Sequence, residues 1–348
     1  MSAMQPAATM KLTDRTKRWL RWTIAFVAMV VVSRQLVSDP EPLRRILRTG
    51  PLTLAGMCVL TVLNQALMSL RFAQVLNHLG APRIGFGAWF RLTSVGQMLN
   101  LFVPQLGNVY RGVALKRDYG VSFLTWATGL ISFVWLDMVG GMLIAIVAIG
   151  LLDPSLRFFG ASGELVLSGA LLAVFLGPIA AAFVFERLPS TSGFIGRMQG
   201  RLTTLLSTAS AAARSPGLML RFFSLNAVVT AGQTATIWLA FHSVGALIPV
   251  SGVLLFQILM KLTSQVVITP GNLGITELAF GALAHGSACT LEQGLAVSLL
   301  LRAVGSAMVI VLGVSSGGAG ALFGGRRALL QESDEVAVPP QDFSATKK

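Results

Sequence analysis

Apolar residues fall along this chain in long blocks separated by short polar stretches, and a helix that crosses a bilayer needs about 20 mostly apolar residues in succession. Blocks of that kind run from Trp22 to Ser38, Leu52 to Leu70, Ser122 to Leu152, Leu165 to Phe185, Phe222 to Gly245 and Leu295 to Val314. Two further apolar regions are interrupted from within. Gly85 to Tyr110 is broken at Pro104 and Gly107, and Val250 to His285 at Pro270, Gly271 and Gly274. Proline removes a helix donor and clashes with the preceding turn, and backbone freed in this way at membrane depth must be buried in protein or line a wet cavity. The pattern predicts an all-α, polytopic helical membrane protein with about six full spans and two broken or re-entrant helical hairpins.

The two breaks resemble each other. Val103-Pro104-Gln105-Leu106-Gly107 is followed by Arg111, and Thr269-Pro270-Gly271-Asn272-Leu273-Gly274 by Glu277, so an ionisable residue sits seven positions after each proline. The 166-residue shift that superimposes Pro104 on Pro270 also carries the Leu52 span onto Leu218 and beyond, and the Ser122 span onto Ala288 and beyond. Span, hairpin, span thus recurs, as repeat one over about 51–152 and repeat two over about 217–317. Because the first hairpin opens to the cytoplasm and the second to the outside in the topology below, the repeat is expected to be inverted, as in many secondary transporters.

Composition agrees with a membrane location: 54% of the 348 residues are apolar, 12% are charged, and the mean hydropathy is +0.72. The excess of 27 basic over 14 acidic residues reads as cytoplasmic loops facing anionic lipid rather than as a nucleic-acid surface. Lys11, Arg15, Lys17, Arg18 and Arg21 precede the apolar run from Trp22, but no small-residue cleavage site follows it, so residues 1–21 are read as a cytoplasmic basic segment before an uncleaved span. Arg71, His78, Arg83, Lys116 and Arg117 then fall in cytoplasmic loops, as do Arg187, Arg197, Arg201, Arg214 and Arg326-Arg327. Arg44, Arg45 and Arg48 dissent, lying in the first outer loop. The integral domain extends over 22–323, and 324–348 is expected to be a disordered cytoplasmic tail. Cys58 and Cys289 lie in or beside apolar segments and indicate neither a disulfide framework nor a metal site. His78, His242 and His285 are scattered, which favours helix-end or interface roles over metal binding. The tryptophans, among them Trp89, Trp126, Trp135 and Trp238, are read as partly interfacial anchors.

Four ionisable residues stand out against the apolar background: Arg111, Asp137, Glu277 and Arg302. A charge at the bilayer centre costs about 2.5 to 3.5 kcal/mol on insertion scales, so each should face a partner or water. The pairs expected are Glu277 with Arg111 or Arg302, and Asp137 with Arg302. Such pairs could simply lock helices together. Alternatively they form a substrate site, in which the guanidinium groups suit the phosphate of a lipid headgroup while its tails stay in the bilayer. Lys261 and Arg91, in the first limbs of the hairpins, are read as snorkelling, with lining of an aqueous entrance as the other reading. Asn100, Asn108, Gln97, Asn226, Gln233, Gln257 and Gln265 are expected to hydrogen-bond between helices, and Gly140-Gly141 and Gly313 with Gly317 to allow close packing. No nucleophile elbow, P-loop or Mg²⁺-binding acidic pair is present in the sequence, so neither an enzyme nor a cofactor is expected.

Taken together, these motifs resemble the flippase-like integral membrane domain of lysylphosphatidylglycerol synthases, which also occurs in single-domain relatives. The likeness runs over roughly Leu52 to Gly313. Its strongest part is Thr269 to Glu277, similar to the family's Pro-Gly-Gly-x-Gly-x-x-Glu pattern, followed by Arg302. Asn100 to Pro104, Gly107, Arg111 and Leu115 are similar to an earlier family motif, and Asp137 matches its acidic residue in the following span. Asn272 stands where members often have a third glycine, and Asn108 where they often have an acid, which bears on headgroup preference. Nothing after Phe323 is long enough for the soluble aminoacyl-transferring domain. The resemblance implies lipid translocation without lipid synthesis.

The function expected is a flippase or transporter that moves a phospholipid or lipid-linked headgroup across the cytoplasmic membrane, with both termini in the cytoplasm. The substrate partner is a membrane lipid, not nucleic acid, and a homo-oligomer or an association with a lipid-biosynthesis enzyme fits the same reading. The alternative is a non-transporting subunit that scaffolds a lipid-modifying enzyme or glycosyltransferase.

Overall fold

A computed structural model describes residues 34, 41–103, 105–158, 160–186, 216–263, 275–285 and 289–318. The basic segment 1–21, all of the expected first span but Arg34, the tail 324–348, Pro104, Gln265, and Pro270, Gly271 and Gly274 of the second break lie outside them.

The described chain is built from helices, with one two-residue antiparallel strand pair, β1 (Arg157–Phe158) and β2 (Ala161–Ser162). A short α1 (Glu41–Leu47) precedes α2 (Pro51–His78), α3 (Phe86–Phe102), α4 (Leu106–Tyr119), α5 (Phe123–Leu152) and α6 (Gly163–Glu186). After residues 187–215 come α7 (Pro216–Ser243), α8 (Val250–Thr263), α9 (Ile275–His285) and α10 (Leu291–Gly313). Local chemistry sets several of the ends. Pro51 opens α2 at a position whose N–H has no helical acceptor. Ser122 caps α5 by accepting from Thr125 N–H at 3.1 Å, and Thr290 with Gln293 forms a capping box on α10. Gly120 ends α4 in the left-handed region, at φ 68°.

Helix length separates spans from hairpin limbs. At 1.5 Å per residue, the 28 residues of α2 and the 30 of α5 exceed a hydrocarbon core of about 30 Å. The 14-residue α4, the 14-residue α8 and the 11-residue α9 do not reach across it. By length and composition, Pro51–His78, Phe123–Leu152 and Leu291–Gly318 are apolar enough to cross a membrane. α7 has the length, at 28 residues, but Arg221, Asn226, Gln233 and His242 lower its hydropathy. Between α3 and α4 the chain turns as the sequence break requires. Val103 is extended, and Gln105 is the one non-glycine residue with positive φ among the described residues, at 68°. The turn is tied by Asn100, whose Oδ1 accepts from Gly107 N–H at 2.7 Å.

The helices α2 to α5 and α7 to α10 correspond in order, and each begins within a few residues of the 166-residue offset. Their relative direction follows from which residues meet. Gly56 near the start of α2 lies against Leu239 near the end of α7, Asn64 against Gly232 at mid-length, and Arg71 against Asn226 beyond it. The first helices of the two sets are therefore antiparallel. Contacts between the sets also come in exchanged pairs, because α3 packs on α10 as α8 packs on α5, and α2 on α10 as α7 on α5.

Among the described residues, three large apolar clusters join the helices, and a smaller one around Leu295 lies between α9 and α10. Met57, Phe241, Phe256, Phe280 and Leu300 join α2 to α7, α8, α9 and α10. Phe72 joins α2 to α3 and α5, its ring 5.9 Å from Trp89, 5.1 Å from Trp126 and 4.9 Å from Phe133. Met142, Ile149, Leu167 and Leu255 join α5, α6 and α8. Trp89 and Trp126 are thus core residues, not interfacial anchors: both are buried, and both pack tilted against the ring of Phe72. Trp135 donates to the Val174 carbonyl at 3.3 Å. Trp238 is partly exposed and stacks on His242, with ring centres 5.3 Å apart. His78, His242 and His285 all lie in the last turn of a helix, where a basic side chain complements the helix dipole. The dissenting loop arginines have a structural task. Arg45 reaches across to donate to the Val244 carbonyl at 3.2 Å, just beyond the C-terminus of α7.

Glycine sets the closest approach in the fold. A Cβ on Gly107 would overlap the backbone carbonyl of Gly96, and that on Gly313 would meet Met98. Gly317, by contrast, bends the chain after α10 at φ 87° and touches nothing with its missing side chain. Gly107→Ala should therefore lower stability by about 1–3 kcal/mol, in the range of overpacked sites, and toward its upper end because a backbone carbonyl must move. Gly87→Ala, on α3 with open space around it, should be neutral or mildly stabilising. Thermal unfolding of the two variants in detergent, followed by the loss of monodisperse protein, checks the contrast.

Candidate functional site

Asp137 lies in the middle of α5 and is buried. Its carboxylate accepts from two cations: Arg71 of α2 on Oδ1 and Lys261 of α8 on Oδ2. Lys261 Nζ also lies 3.4 Å from the Asp137 backbone carbonyl. Asn226 of α7 completes the cluster by accepting from Arg71 through Oδ1 while its amide nitrogen sits 3.5 Å from the Asp137 carbonyl. The Arg71 guanidinium is sandwiched by Phe133 and Phe222, 5.3 and 5.6 Å from the ring centres. Aromatic faces stabilise a desolvated guanidinium. One turn beyond Asp137, Gly140 makes this convergence sterically feasible. A Cβ on Gly140 would press on Asn226 and Phe223, and one on Gly141 would stand 3.7 Å from Lys261 Nζ.

One turn before Lys261, Gln257 accepts from Thr234 and donates to Gln233 at 2.9 Å. The interhelical role expected for these amides is observed there, and likewise for Gln97, which reaches Met68 Sδ at 3.3 Å. Asn100 and Asn108 instead act within the α3–α4 turn, on Gly107 N–H and on Gln105.

The second charged pair is Glu277 of α9 with Arg302 of α10, at 2.5 Å. Gly281 and Gly294 bring those two helices together, since a Cβ on Gly294 would strike Ala284 and the Phe280 carbonyl. Glu277 is buried and Arg302 is half-buried.

Arg111 differs from the other three. It sits on α4, one turn after the break, and is 4% exposed. Its guanidinium lies against Gly96 of α3, where any side chain would occupy the same space. Among the described residues it makes no ion pair, and its Nε is buried without an acceptor. Burying an arginine without an anion or acceptor costs several kcal/mol.

The expected pairs are thus realised in part. Glu277 takes Arg302, as one of the two readings had it. Asp137 does not pair with Arg302, because its carboxylate faces Arg71 and Lys261, supplied by helices packed directly on α5. Lys261 accordingly points into the protein instead of snorkelling outward, whereas Arg91 is exposed. Arg71 is the member of the cluster that the hydropathy pattern misplaces. The pattern puts it in a cytoplasmic loop because the apolar block stops at Leu70, yet α2 continues to His78 and Arg71 is 2% exposed. The signal was present: Phe72, Val75 and Leu76 carry the buried face of the helix past the charge at helical spacing.

Along the outer side of α5, a groove of about 440 Å³ runs from Gly140 to Leu151 and is closed on one side by Phe223 of α7. Its lining is apolar throughout, as expected of a surface that meets lipid chains.

A helical bundle with membrane-length helices, an interrupted hairpin at α3–α4 and charges gathered inside it defines a polytopic membrane protein, with its polar chemistry facing inward. Residues 18–313 match the model of the lysylphosphatidylglycerol synthase TM region, and the chain belongs to that family. This makes it a membrane protein related to lipid modification or flipping. No curated protein and no solved structure matches it.

Removing the Asp137 carboxylate would leave two buried cations facing each other. Asp137→Leu should cost about 3–5 kcal/mol of stability, as when one partner of a buried pair is lost. Arg44→Ala breaks only the solvent-exposed pair with Glu41 at 3.1 Å and should change stability by less than about 1 kcal/mol. Denaturant unfolding of the two purified variants compares these costs directly.

Proposed function

We propose that this chain is a lipid transporter of the flippase type, moving a phospholipid or lipid-linked headgroup across the cytoplasmic membrane without covalent chemistry of its own. The observation that carries this reading is Arg111. It is buried and unpaired among the described residues, and it stands where a broken membrane helix exposes backbone polarity. An anionic headgroup would supply the partner that the protein withholds. Guanidinium and phosphate match in charge and in bidentate geometry, while the apolar groove along α5 gives the tails a surface outside the bundle.

The two helix sets support the mechanism. Two four-helix units of matching order, with antiparallel first helices, form the inverted repeat that alternating access requires, and they would rock about the α2–α7 crossing. The Asp137 cluster, with Arg71 and Asp137 from one unit and Asn226 and Lys261 from the other, holds the units in register, and Glu277–Arg302 ties α9 to α10 within the second, leaving Arg111 to meet the substrate. In this reading both termini face the cytoplasm, and a second copy or a lipid-biosynthesis enzyme is the fitting partner.

Purified protein in liposomes should speed movement of a labelled anionic phospholipid or lipid-linked sugar between leaflets. Arg111→Gln should reduce the rate by about 10- to 100-fold, the value of a charge-assisted hydrogen bond of roughly 1.5–3 kcal/mol, while Arg91→Gln leaves it unchanged. Equal rates for wild type and Arg111→Gln with every lipid tested would remove the basis for this assignment.

A further inference from the structure

The middle of the α2–α7 crossing is polar and unsatisfied. Asn64 and Gln65 are the two central residues of the 28-residue α2, and Val229 and Thr230 those of the 28-residue α7. Asn64 and Thr230 are also separated by the 166 residues that relate the two helix sets, so one position contributes a polar side chain from each. Asn64 lies against Gly232 of α7, where a Cβ would strike its amide. Gln65 is 7% exposed and Thr230 is 2% exposed. Among the described residues, Asn64 Oδ1, Gln65 Nε2 and Thr230 Oγ1 are buried without a hydrogen-bond partner. Other hydroxyls on the same helices are satisfied locally: Thr61 and Thr236 each donate to the carbonyl four residues back, at 2.8 Å.

Unmet polar atoms at the centre of membrane-length helices are costly, and their chemistry defines what would satisfy them. Gln65 Nε2 only donates, Asn64 Oδ1 only accepts, and Thr230 Oγ1 does either. A phosphate oxygen has no proton for Asn64, and an ammonium has no lone pair for Gln65. A hydroxyl both donates and accepts, so it answers all three. Charge points the same way, since α2 from Pro51 to Leu70 and α7 from Phe222 to Phe241 carry no acidic or basic side chain. Arg111 stands at a similar depth. Its guanidinium lies against Gly96 of α3, the neighbour of Gln97, and Gln97 reaches Met68 of α2, about one helical turn from Gln65.

We propose that Asn64, Gln65 and Thr230 form a subsite for uncharged hydroxyl groups, which takes the hydroxyls of a polyol or sugar headgroup. The inference rests on the transport reading above, in which Arg111 meets the phosphate, and it adds the class of headgroup: one bearing hydroxyls, in preference to a phosphate with no further group. The place suits that task. Inverted-repeat transporters hold substrate near the bilayer midplane between their two units, and the crossing of α2 with α7 is where the two units meet at mid-length. Water satisfies the same atoms between turnovers, and a hydroxyl that displaces it reproduces its hydrogen bonds.

The test measures binding separately from transport. Purified protein in detergent is titrated with dioctanoyl phosphatidylinositol and with dioctanoyl phosphatidic acid, which share tails and phosphate and differ in the polyol, and bound lipid is quantified by native mass spectrometry. Wild type should bind the inositol lipid about 10-fold more tightly, the value of a few neutral hydrogen bonds. Thr230→Val and Gln65→Met remove a hydroxyl and an amide at nearly constant volume. Each should weaken inositol-lipid binding about 5-fold and leave phosphatidic acid binding unchanged, while Thr230→Ser keeps the preference. Thermal unfolding of Thr230→Val and Gln65→Met should match or exceed wild type, because neither change removes an internal hydrogen bond. A lower midpoint in both gives these groups partners inside the protein and overturns the subsite. Equal affinity for the two lipids in wild type, binding of neither, or a preference that survives both substitutions also overturns it and leaves the three groups to structural water only. Leaflet exchange of the two lipids in phosphatidylcholine liposomes is read independently. Selective binding without exchange refutes the transport reading alone, and exchange of both lipids with equal affinity refutes the subsite alone.

Discussion

The structure depends on how a carboxylate is kept ionised inside an apolar bundle. Asp137 is held by Arg71 from the same helix set and by Lys261 from the other, with Asn226 bridging to a fourth helix. A charge left alone in such surroundings costs several kcal/mol, so the four helices that supply these groups are fixed relative to one another by electrostatics as well as by packing. The shape of the bundle follows. α5 must pass close to α2, α7 and α8 at one level, and Gly140 and Gly141 leave room for it to do so. The rings of Phe133 and Phe222 then seal the Arg71 guanidinium from water.

A second constraint is that short helices must be anchored to long ones. Neither limb of a hairpin spans a bilayer by itself, so each depends on lateral packing: α3 and α4 cross where Gly107 meets Gly96, and α9 lies on α10 where Gly294 meets Phe280 and Ala284. Without a hydrophobic driving force between helices in lipid, close contact through small residues is what associates them. The same contact that builds the first hairpin also encloses Arg111, because Gly96 provides the space its guanidinium fills.

The two helix sets agree in architecture and differ in charge. Arg111 and Glu277 occupy matching positions after matching breaks, yet Glu277 has Arg302 on the next helix while the position matching Arg302 in the first set is Leu136. One set closes its charge internally, and the other leaves a cation enclosed with none of the described residues to pair it. A repeat whose halves had both paired would need no ligand. This inequality, more than the presence of charges as such, is what gives the lipid-transport reading its physical content.

Much of the fold was legible in the sequence, because bilayer thickness and backbone hydrogen bonding allow few solutions. Apolar blocks marked α2, α5, α6, α7 and α10, Pro104 and Gly107 marked the turn between α3 and α4, and the offset from Pro104 to Pro270 agrees with the order of helices in the two sets. Arg111, Asp137, Glu277 and Arg302 were recognisable because a charge in an apolar block is costly. Partner choice was not legible. By pattern Arg71 reads as a loop residue and Lys261 as a snorkelling one, and Asp137 pairs with Arg71 where the pattern points to Arg302. Which charges meet depends on which helix faces pack and at what depth, and that is fixed by contacts such as Gly140 on Asn226 and Phe72 on Trp126, between residues far apart in the chain. Sequence alone determined that this protein lies in a membrane, where its apolar stretches are interrupted and which side chains are too polar for lipid; tertiary structure decided which of those side chains neutralise one another, because electrostatic pairing is set by distance in space and not by order along the chain.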